Sequence, residues 1–111
     1  ARIMALKGAD ILIYPTALGW FDEDSKDERE KQLDSWITIQ RSHAIANGTP
    51  VVSVNRVGFE RDNSKAIDGI RFWGNSFVVG SSGEFLTKLG EVEELSVIDI
   101  DLKNSHKVRR I

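Results

Sequence analysis

The chain has 111 residues, a formal net charge of −2 at pH 7 and no cysteine. Its length suits one domain with a modest core, and 41% hydrophobic with 29% charged residues is ordinary for a globular protein. The slightly acidic balance offers no basic surface to a phosphate backbone, and no apolar run approaches the roughly 20 residues that cross a bilayer. We therefore expect neither nucleic acid nor a membrane as a partner. The lack of cysteine excludes disulfides and thiolate metal sites in this sequence and favours a reducing, cytoplasmic setting.

The first eight residues, ARIMALKG, are typical of the end of a helix, with Gly8 as its left-handed cap. No N-cap residue precedes them, and the last residues of the chain begin a helical pattern that stops. We interpret the sequence as a segment of a longer protein. Residues 11–14 then predict a buried strand that ends at Pro15.

Small residues and one large aromatic follow this strand, in the order Thr16, Ala17, Leu18, Gly19, Trp20. Strand ends of this kind in α/β proteins often form the floor of a pocket. The alternative is structural: a strand stop followed by an aromatic plug. Both interpretations stay open at this point.

A long helix is predicted over residues 26–47. Ser25 followed by Glu28 is a capping-box pattern, and Gly48 ends the helix. Apolar residues recur at spacings of three and four along it, and Ile39 and His43 widen the stripe beyond what one sheet normally covers.

The second half of the chain predicts further strands. Residues 50–58, PVVSVNRVG, form a nearly continuous apolar strand that we expect to be buried on both faces. Residues 59–69 predict a charged loop, and residues 81–83 predict the turn of a hairpin. The alternation in ELSVIDIDL, residues 94–102, predicts a strand with one solvated face. Together these elements predict an α/β fold with a mixed sheet.

The residues of this sequence do not have the spacing that familiar catalytic and metal-binding motifs require. The run 80–83, GSSG, does not match a nucleophile elbow, and His43 and His106 have no partner pattern for zinc. His43 is more readily explained as a hydrogen-bonded packing residue. The acidic run 22–33 lacks the glycine and the final carboxylate of a calcium loop; its acids would either attract a cationic substrate or form a solvated helix start. From the residues alone, the sequence supplies a pocket rim without a catalytic group.

The sequence contains three blocks in this order: "AR.MALKGADILIYPTA.GW", "QR.HA.AN..PVV..NR.G" and "FWGNSFV....GE". Together they resemble the carbon–nitrogen hydrolases of the nitrilase superfamily, specifically the N-carbamoylputrescine amidase-like branch. The resemblance covers nearly the whole chain. It implies an α-β-β-α sandwich with mixed sheets, of which residues 1–111 would be the C-terminal part of a single domain lacking its N-terminal half. It also implies hydrolysis of an amide or N-carbamoyl bond, with N-carbamoylputrescine as the expected substrate and no cofactor or metal.

The resemblance implies a Cys–Glu–Lys triad, and none of the three can be placed in this sequence. We expect all three upstream of Ala1, so the segment alone should be inert. In such a site the glutamate takes the thiol proton, the thiolate attacks the ureido carbon, and the lysine with a backbone N–H stabilises the oxyanion.

By the same resemblance, the substrate site is expected to include six residues: Thr16, Ala17, Leu18, Trp20, Asn55 and Arg56. For Arg56 an ion pair with a loop acid is the alternative. A homo-oligomer is expected through the helix 26–47, with interface residues Trp36, Ile39 and His43. A different class of function stays open, a non-catalytic binding or assembly module of the same fold, such as a pseudoenzyme or a split half.

Overall fold

The computed structural model describes residues 1–109. Within them the chain forms, in order, α1 (Arg2–Leu6), β1 (Leu12–Thr16), β2 (Gly19–Trp20), α2 (Lys26–Asn47), β3 (Val51–Asn55), β4 (Val57–Arg61), β5 (Gly69–Trp73), β6 (Phe77–Val79), β7 (Phe85–Lys88) and α3 (Leu102–Arg109). No helix in this part of the chain has the length and hydrophobicity needed to span a membrane.

The strands form two sheets. The larger has the order β1-β3-β6-β7, with β1 and β3 parallel and the remaining neighbours antiparallel. The smaller sheet, β2-β5-β4, is antiparallel throughout. The predicted mixed α/β fold is therefore confirmed, and so is the hairpin that joins β6 to β7 through residues 81–83.

Both predicted ends of the long helix are confirmed. The Ser25 hydroxyl accepts a hydrogen bond from the Glu28 N–H at 3.2 Å, and the Glu28 carboxylate accepts from the Ser25 N–H at 2.7 Å. These reciprocal bonds satisfy backbone donors that the first turn of a helix leaves free. Gly48 ends α2 with φ 57°, a left-handed conformation in which a side chain would be strained.

The core lies between α2 and one face of the larger sheet, here called the inner face. Trp36 packs against Phe77 at 5.4 Å and against Trp73 at 5.9 Å between ring centroids. Around these rings lie the other buried apolar residues of the cluster, namely Leu12, Trp20, Ala44, Val51 and Val79. Apolar residues recur every three or four positions along α2 and at every second position along the strands. Both sets of residues lie on this face.

The opposite face of the larger sheet, the outer face, is only partly covered by the described chain. Ile13 is 64% exposed and Val54 is 48% exposed, although both lie within strands that are apolar at successive positions. The prediction that β3 is buried on both faces is therefore wrong for this chain. A strand can be apolar on both faces while its own segment supplies cover for only one.

Two further predictions require correction. Residues 94–100 form no strand, because no described strand lies beside them to pair with their backbone, and Leu95 and Val97 are exposed. The region 59–69, predicted as a loop, contributes to the β4–β5 hairpin, and only residues 62–68 form its turn. Most of β4 is exposed, whereas β5 buries Gly69, Phe72 and Trp73, and the charged residues of the region hide the strand pattern.

Asp62 organises the turn of that hairpin. Its carboxylate accepts hydrogen bonds from the Ser64 hydroxyl at 2.6 Å and from the Ser64 N–H at 3.0 Å. These bonds, that of the hydroxyl first, lower the pKa of Asp62 below its ordinary value because they favour the ionised carboxylate.

Candidate substrate site

The two sheets meet at a junction where the chain crosses from one to the other three times. The crossings are residues 17–18 between β1 and β2, residue 56 between β3 and β4, and residues 74–76 between β5 and β6. The first two follow the carboxyl ends of the parallel pair β1 and β3, which is the edge where α/β sheets commonly bind ligands. The candidate site is therefore this junction.

The side-chain amide of Asn55 bonds to two of the three crossings. Its Oδ1 accepts from the Thr16 hydroxyl at 2.8 Å and from the Leu18 N–H at 2.8 Å. Its Nδ2 donates to the Leu18 carbonyl at 3.0 Å and to the Gly74 carbonyl at 3.2 Å. A primary amide has two donor hydrogens and two acceptor lone pairs, so these four bonds use all of its capacity.

Backbone bonds complete the junction. The Arg56 N–H donates to the Thr16 carbonyl at 3.1 Å, and the Trp73 N–H donates to the Leu18 carbonyl at 3.1 Å. The Asn55 N–H donates to the Ser76 hydroxyl at 2.9 Å. Five of the six predicted site residues, namely Thr16, Ala17, Leu18, Asn55 and Arg56, are thus brought together at one place.

The loop that leaves β1 presents its side chains outward. Ala17 and Leu18 are exposed and Thr16 is half-buried, with its hydroxyl also 3.0 Å from the Val54 carbonyl. Ala17 carries only a methyl group at the tip of this loop. That the loop forms a pocket wall stays a prediction from its residue types.

Trp20 does not extend this wall. Its ring is buried in the core, tilted against Trp73 with centroids 5.6 Å apart, and its Nε1–H donates to the Arg29 carbonyl at 3.2 Å. The structure thus places Trp20 away from the exposed surface on which a substrate contact was predicted. A large aromatic next to a pocket-like stretch also has the size to fill a core, and here burial prevails.

Arg56 reaches away from the Thr16–Leu18 loop. Its guanidinium lies over the Phe72 ring, 4.4 Å from the centroid, and pairs with the Glu60 carboxylate at 2.5 Å. Of the two predicted roles for Arg56, the structure contains the ion pair with a neighbouring acid. Both partners of the pair are about half exposed, so its contribution to stability is small.

The three residues predicted at an interface on α2 have different environments. Trp36 is only 8% exposed and belongs to the core, so its ring is not available to a partner. His43 stacks on Tyr14, with centroids 6.0 Å apart and ring planes 15° apart, as expected of a packing residue. Ile39 is 50% exposed and is the member of the set that remains on the surface.

The acidic stretch before and within the start of α2 is used locally. The Asp24 carboxylate accepts from the Phe21 N–H at 3.0 Å, Glu28 caps the helix, and Asp27 pairs with Lys31 at 2.6 Å. These contacts match the interpretation of a solvated helix start. Residues 1–109 contain no group of three or more His, Cys, Asp or Glu side chains placed to hold a metal ion.

A groove of about 770 Å³ runs along the outer face of the larger sheet. Asn55 and Arg56 contribute to its lining, together with Val52, Val54, Val78 and the extended segment after β7. The residues of the Thr16–Leu18 loop do not line it. The groove and the candidate wall are thus neighbouring surfaces that share only the end of β3.

The sequence did not reveal the roles of Gly74 and Ser76. Gly74 adopts φ 53° and offers its carbonyl to Asn55, while the Ser76 hydroxyl bonds the Asn55 backbone. The available signal was the short polar run Gly74, Asn75, Ser76 between two apolar strands, which indicates a turn. A turn pattern in the sequence does not predict which distant residue will form a hydrogen bond with a carbonyl of that turn.

Comparison with known proteins defines the class. The carbon–nitrogen hydrolase family profile matches residues 1–110. A crystal structure of a carbon–nitrogen hydrolase from Helicobacter pylori G27 superposes with a TM-score of 0.96 at 57% identity, covering 98% of this chain and 38% of that one. The chain belongs to the carbon–nitrogen hydrolase family, and its fold is that of the nitrilase superfamily.

Two curated relatives give finer likenesses. An N-carbamoylputrescine amidase of Solanum tuberosum is 37% identical over 99 residues, which cover 88% of this chain and 32% of the relative. A citrullinase of Francisella tularensis is 39% identical over 88 residues, covering 76% of this chain and 27% of that protein. The chain spans about a third of the length of the N-carbamoylputrescine amidases it matches.

Proposed function

We propose that the full-length protein hydrolyses the terminal ureido group of N-carbamoylputrescine, giving putrescine, CO₂ and ammonia. Residues 1–111 would form the C-terminal part of its single catalytic domain. The observation that carries the proposal is the junction at the ends of β1 and β3, where an exposed small residue, Ala17, lies beside a hydrogen-bonded strand end in a chain of this family. Family membership supports the reaction class, and the matches to an N-carbamoylputrescine amidase and a citrullinase support the ureido group, which both named substrates carry.

The proposed chemistry needs a nucleophile that residues 1–111 do not contain, since the chain has no cysteine. In our proposal a cysteine outside this sequence, activated by a glutamate, attacks the ureido carbon. A lysine and a backbone N–H stabilise the oxyanion, and the intermediate breaks its terminal C–N bond and expels ammonia, which takes a proton from the glutamic acid. Water then hydrolyses the carbamoyl thioester, freeing the cysteine and a carbamic acid that loses CO₂ to give putrescine. The role of the present residues is to shape the wall against which the substrate is held.

Ammonia release by the full-length protein tests the proposal. N-carbamoylputrescine, citrulline and a simple ω-amide are compared by kcat/KM, with N-carbamoylputrescine expected to give the highest value. A higher value for the ω-amide would overturn the ureido assignment and leave an amidase. Absence of ammonia from every substrate would overturn the enzymatic proposal in favour of a non-catalytic binding or assembly module.

We also propose that the protein forms a homo-oligomer through α2. The support is Ile39, which is half-exposed on a helix whose buried face already covers the inner face of the sheet. Replacing Ile39 with Glu would place an unpaired charge at a symmetric interface twice, and we expect the oligomer to dissociate.

Sedimentation of the full-length variant measures this effect. Asn63→Glu adds the same charge in the exposed β4–β5 turn and should leave the assembly unchanged. An Ile39→Glu protein that sediments like its parent would show that α2 is not the interface.

A further inference from the structure

We propose that Asn55 is a positioning residue that holds the Thr16–Leu18 loop in the shape required by the substrate, and does not itself touch the substrate. The inference rests on the proposed function for its catalytic consequence. It replaces the direct substrate contact that the sequence resemblance implied for Asn55.

The Asn55 amide has no donor or acceptor position open to a ligand. Asn55 is 6% exposed, and both of its amide hydrogens are donated to carbonyls. The Leu18 N–H and the Thr16 hydroxyl occupy the two acceptor positions of Oδ1, and the single hydrogen of that hydroxyl also has the Val54 carbonyl in reach. A substrate could bond this amide only by displacing a bond within the junction. Breaking such a bond leaves a buried partner unsatisfied, which is costly.

The Asn55 amide can adopt only one orientation in the junction. The Leu18 N–H can only donate and the Gly74 carbonyl can only accept, so the two ends of the Asn55 amide cannot exchange places without losing both bonds. The amide therefore fixes both the N–H and the carbonyl of Leu18, at 2.8 and 3.0 Å. A backbone unit held at both of its polar groups is held in position and in rotation.

The position of Asn55 in the fold also favours a positioning role. Thr16 and Leu18 flank Ala17, and both are bonded to the same side chain from β3. The third partner, Gly74, belongs to the crossing between β5 and β6. One amide thus ties the candidate wall to both sheets, whereas the exposed side chains of the wall make no such tie.

Three substitutions in the full-length protein test the role. Asn55→Ala removes all four bonds. Asn55→Asp keeps the acceptors for Thr16 and Leu18 but points carboxylate oxygens at the carbonyls of Leu18 and Gly74. Thr49→Ala is the matched control, because it removes buried hydrogen bonds of the turn between α2 and β3, at the end of β3 opposite Asn55, and none at the junction.

We expect kcat/KM for the preferred ureido substrate to fall about 10- to 100-fold in both Asn55 variants, as when a positioned group moves by about 1 Å. The fall should lie mainly in KM, because a wall contacts substrate and transition state alike. Thr49→Ala should lower the melting temperature without changing KM. Unchanged KM in folded Asn55 variants, or an equal rise in Thr49→Ala, would overturn the proposal.

Amide hydrogen exchange of Leu18 in the substrate-free protein separates this proposal from the proposed function. Exchange at the Leu18 N–H should accelerate at least about tenfold in Asn55→Ala and stay at the parental rate in Thr49→Ala. A substrate-contact role would leave this exchange unchanged, which would overturn the proposal. The measurement needs no turnover, so it decides the positioning role even if the parent protein releases no ammonia.

Discussion

The inner and outer faces of the larger sheet are built from the same strands and have opposite environments. On the inner face Val51, Phe77 and Val79 are almost wholly buried beneath α2. On the outer face Ile13 of β1 and Val54 of β3 remain exposed. The difference shows that an apolar strand need not be covered on both faces by its own segment, because burial depends on which other segments pack against it.

The largest effect is expected at the centre of the inner face. Phe77→Ala deletes a 1% exposed ring that packs edge-on against Trp36 and Phe85. Such a truncation typically costs about 3–5 kcal/mol because the cavity only partly collapses. Denaturant unfolding of the full-length protein measures the loss, and a cost below about 1 kcal/mol would show that the inner face is not the core.

A matched pair of smaller substitutions compares the two faces directly. Val51→Thr on the inner face buries a hydroxyl and should cost about 1–3 kcal/mol in the full-length protein. If a second layer covers the outer face in the complete protein, as the expected α-β-β-α sandwich implies, Val54→Thr should there have a similar cost. If Val54→Thr is neutral while Val51→Thr is not, the outer face meets solvent in the complete protein as well.

The sequence predicted those elements whose residues carry a periodic or capping signal. The bounds of α2, the hairpin turn at 81–83 and the strand cores of β1 and β3 are examples, because each depends on local spacing. The β4–β5 hairpin was missed because β4 and the turn that follows it are polar and mostly exposed, although β5 buries Phe72 and Trp73. The strand predicted at 94–102 is absent because its alternation needs a neighbour that the described chain does not provide.

Five of the six residues predicted for the candidate site lie together, and the pocket itself stays a prediction. The small residues after an apolar run predict a pocket at the end of β1, and the Thr16–Leu18 loop lies beside Asn55. The roles of Trp20 and Trp36 were not predictable, since a large aromatic residue suits a pocket, an interface or a core equally well. Tertiary packing alone selects among them.

The smallest effect is expected far from both faces, in the β4–β5 turn. Asp62 has a lowered pKa in the folded protein, so it contributes stability above its unfolded pKa, and this is lost as the pH falls through the folded pKa. Ser64→Ala removes the hydroxyl that bonds its carboxylate and should raise the pKa of Asp62 toward its ordinary value. An NMR titration of the Asp62 carboxyl measures the shift, with Ser96→Ala as a control. An unchanged pKa of Asp62 in Ser64→Ala would show that the Ser64 hydroxyl does not stabilise the ionised carboxylate.

The central prediction is that the Thr16–Leu18 loop is a wall of the substrate site. The substitution Ala17→Trp in the full-length protein tests it directly. Ala17 is exposed, so a tryptophan there should not overpack the core, and the melting temperature should stay close to that of the parent. Ammonia release from N-carbamoylputrescine is compared with alkylation of the proposed cysteine by iodoacetamide, a reagent small enough to pass the new ring. We predict that turnover fails or KM rises steeply while alkylation proceeds at the parental rate. Undiminished turnover in a normally folded Ala17→Trp protein would contradict the account, because the loop would then form no part of the substrate site.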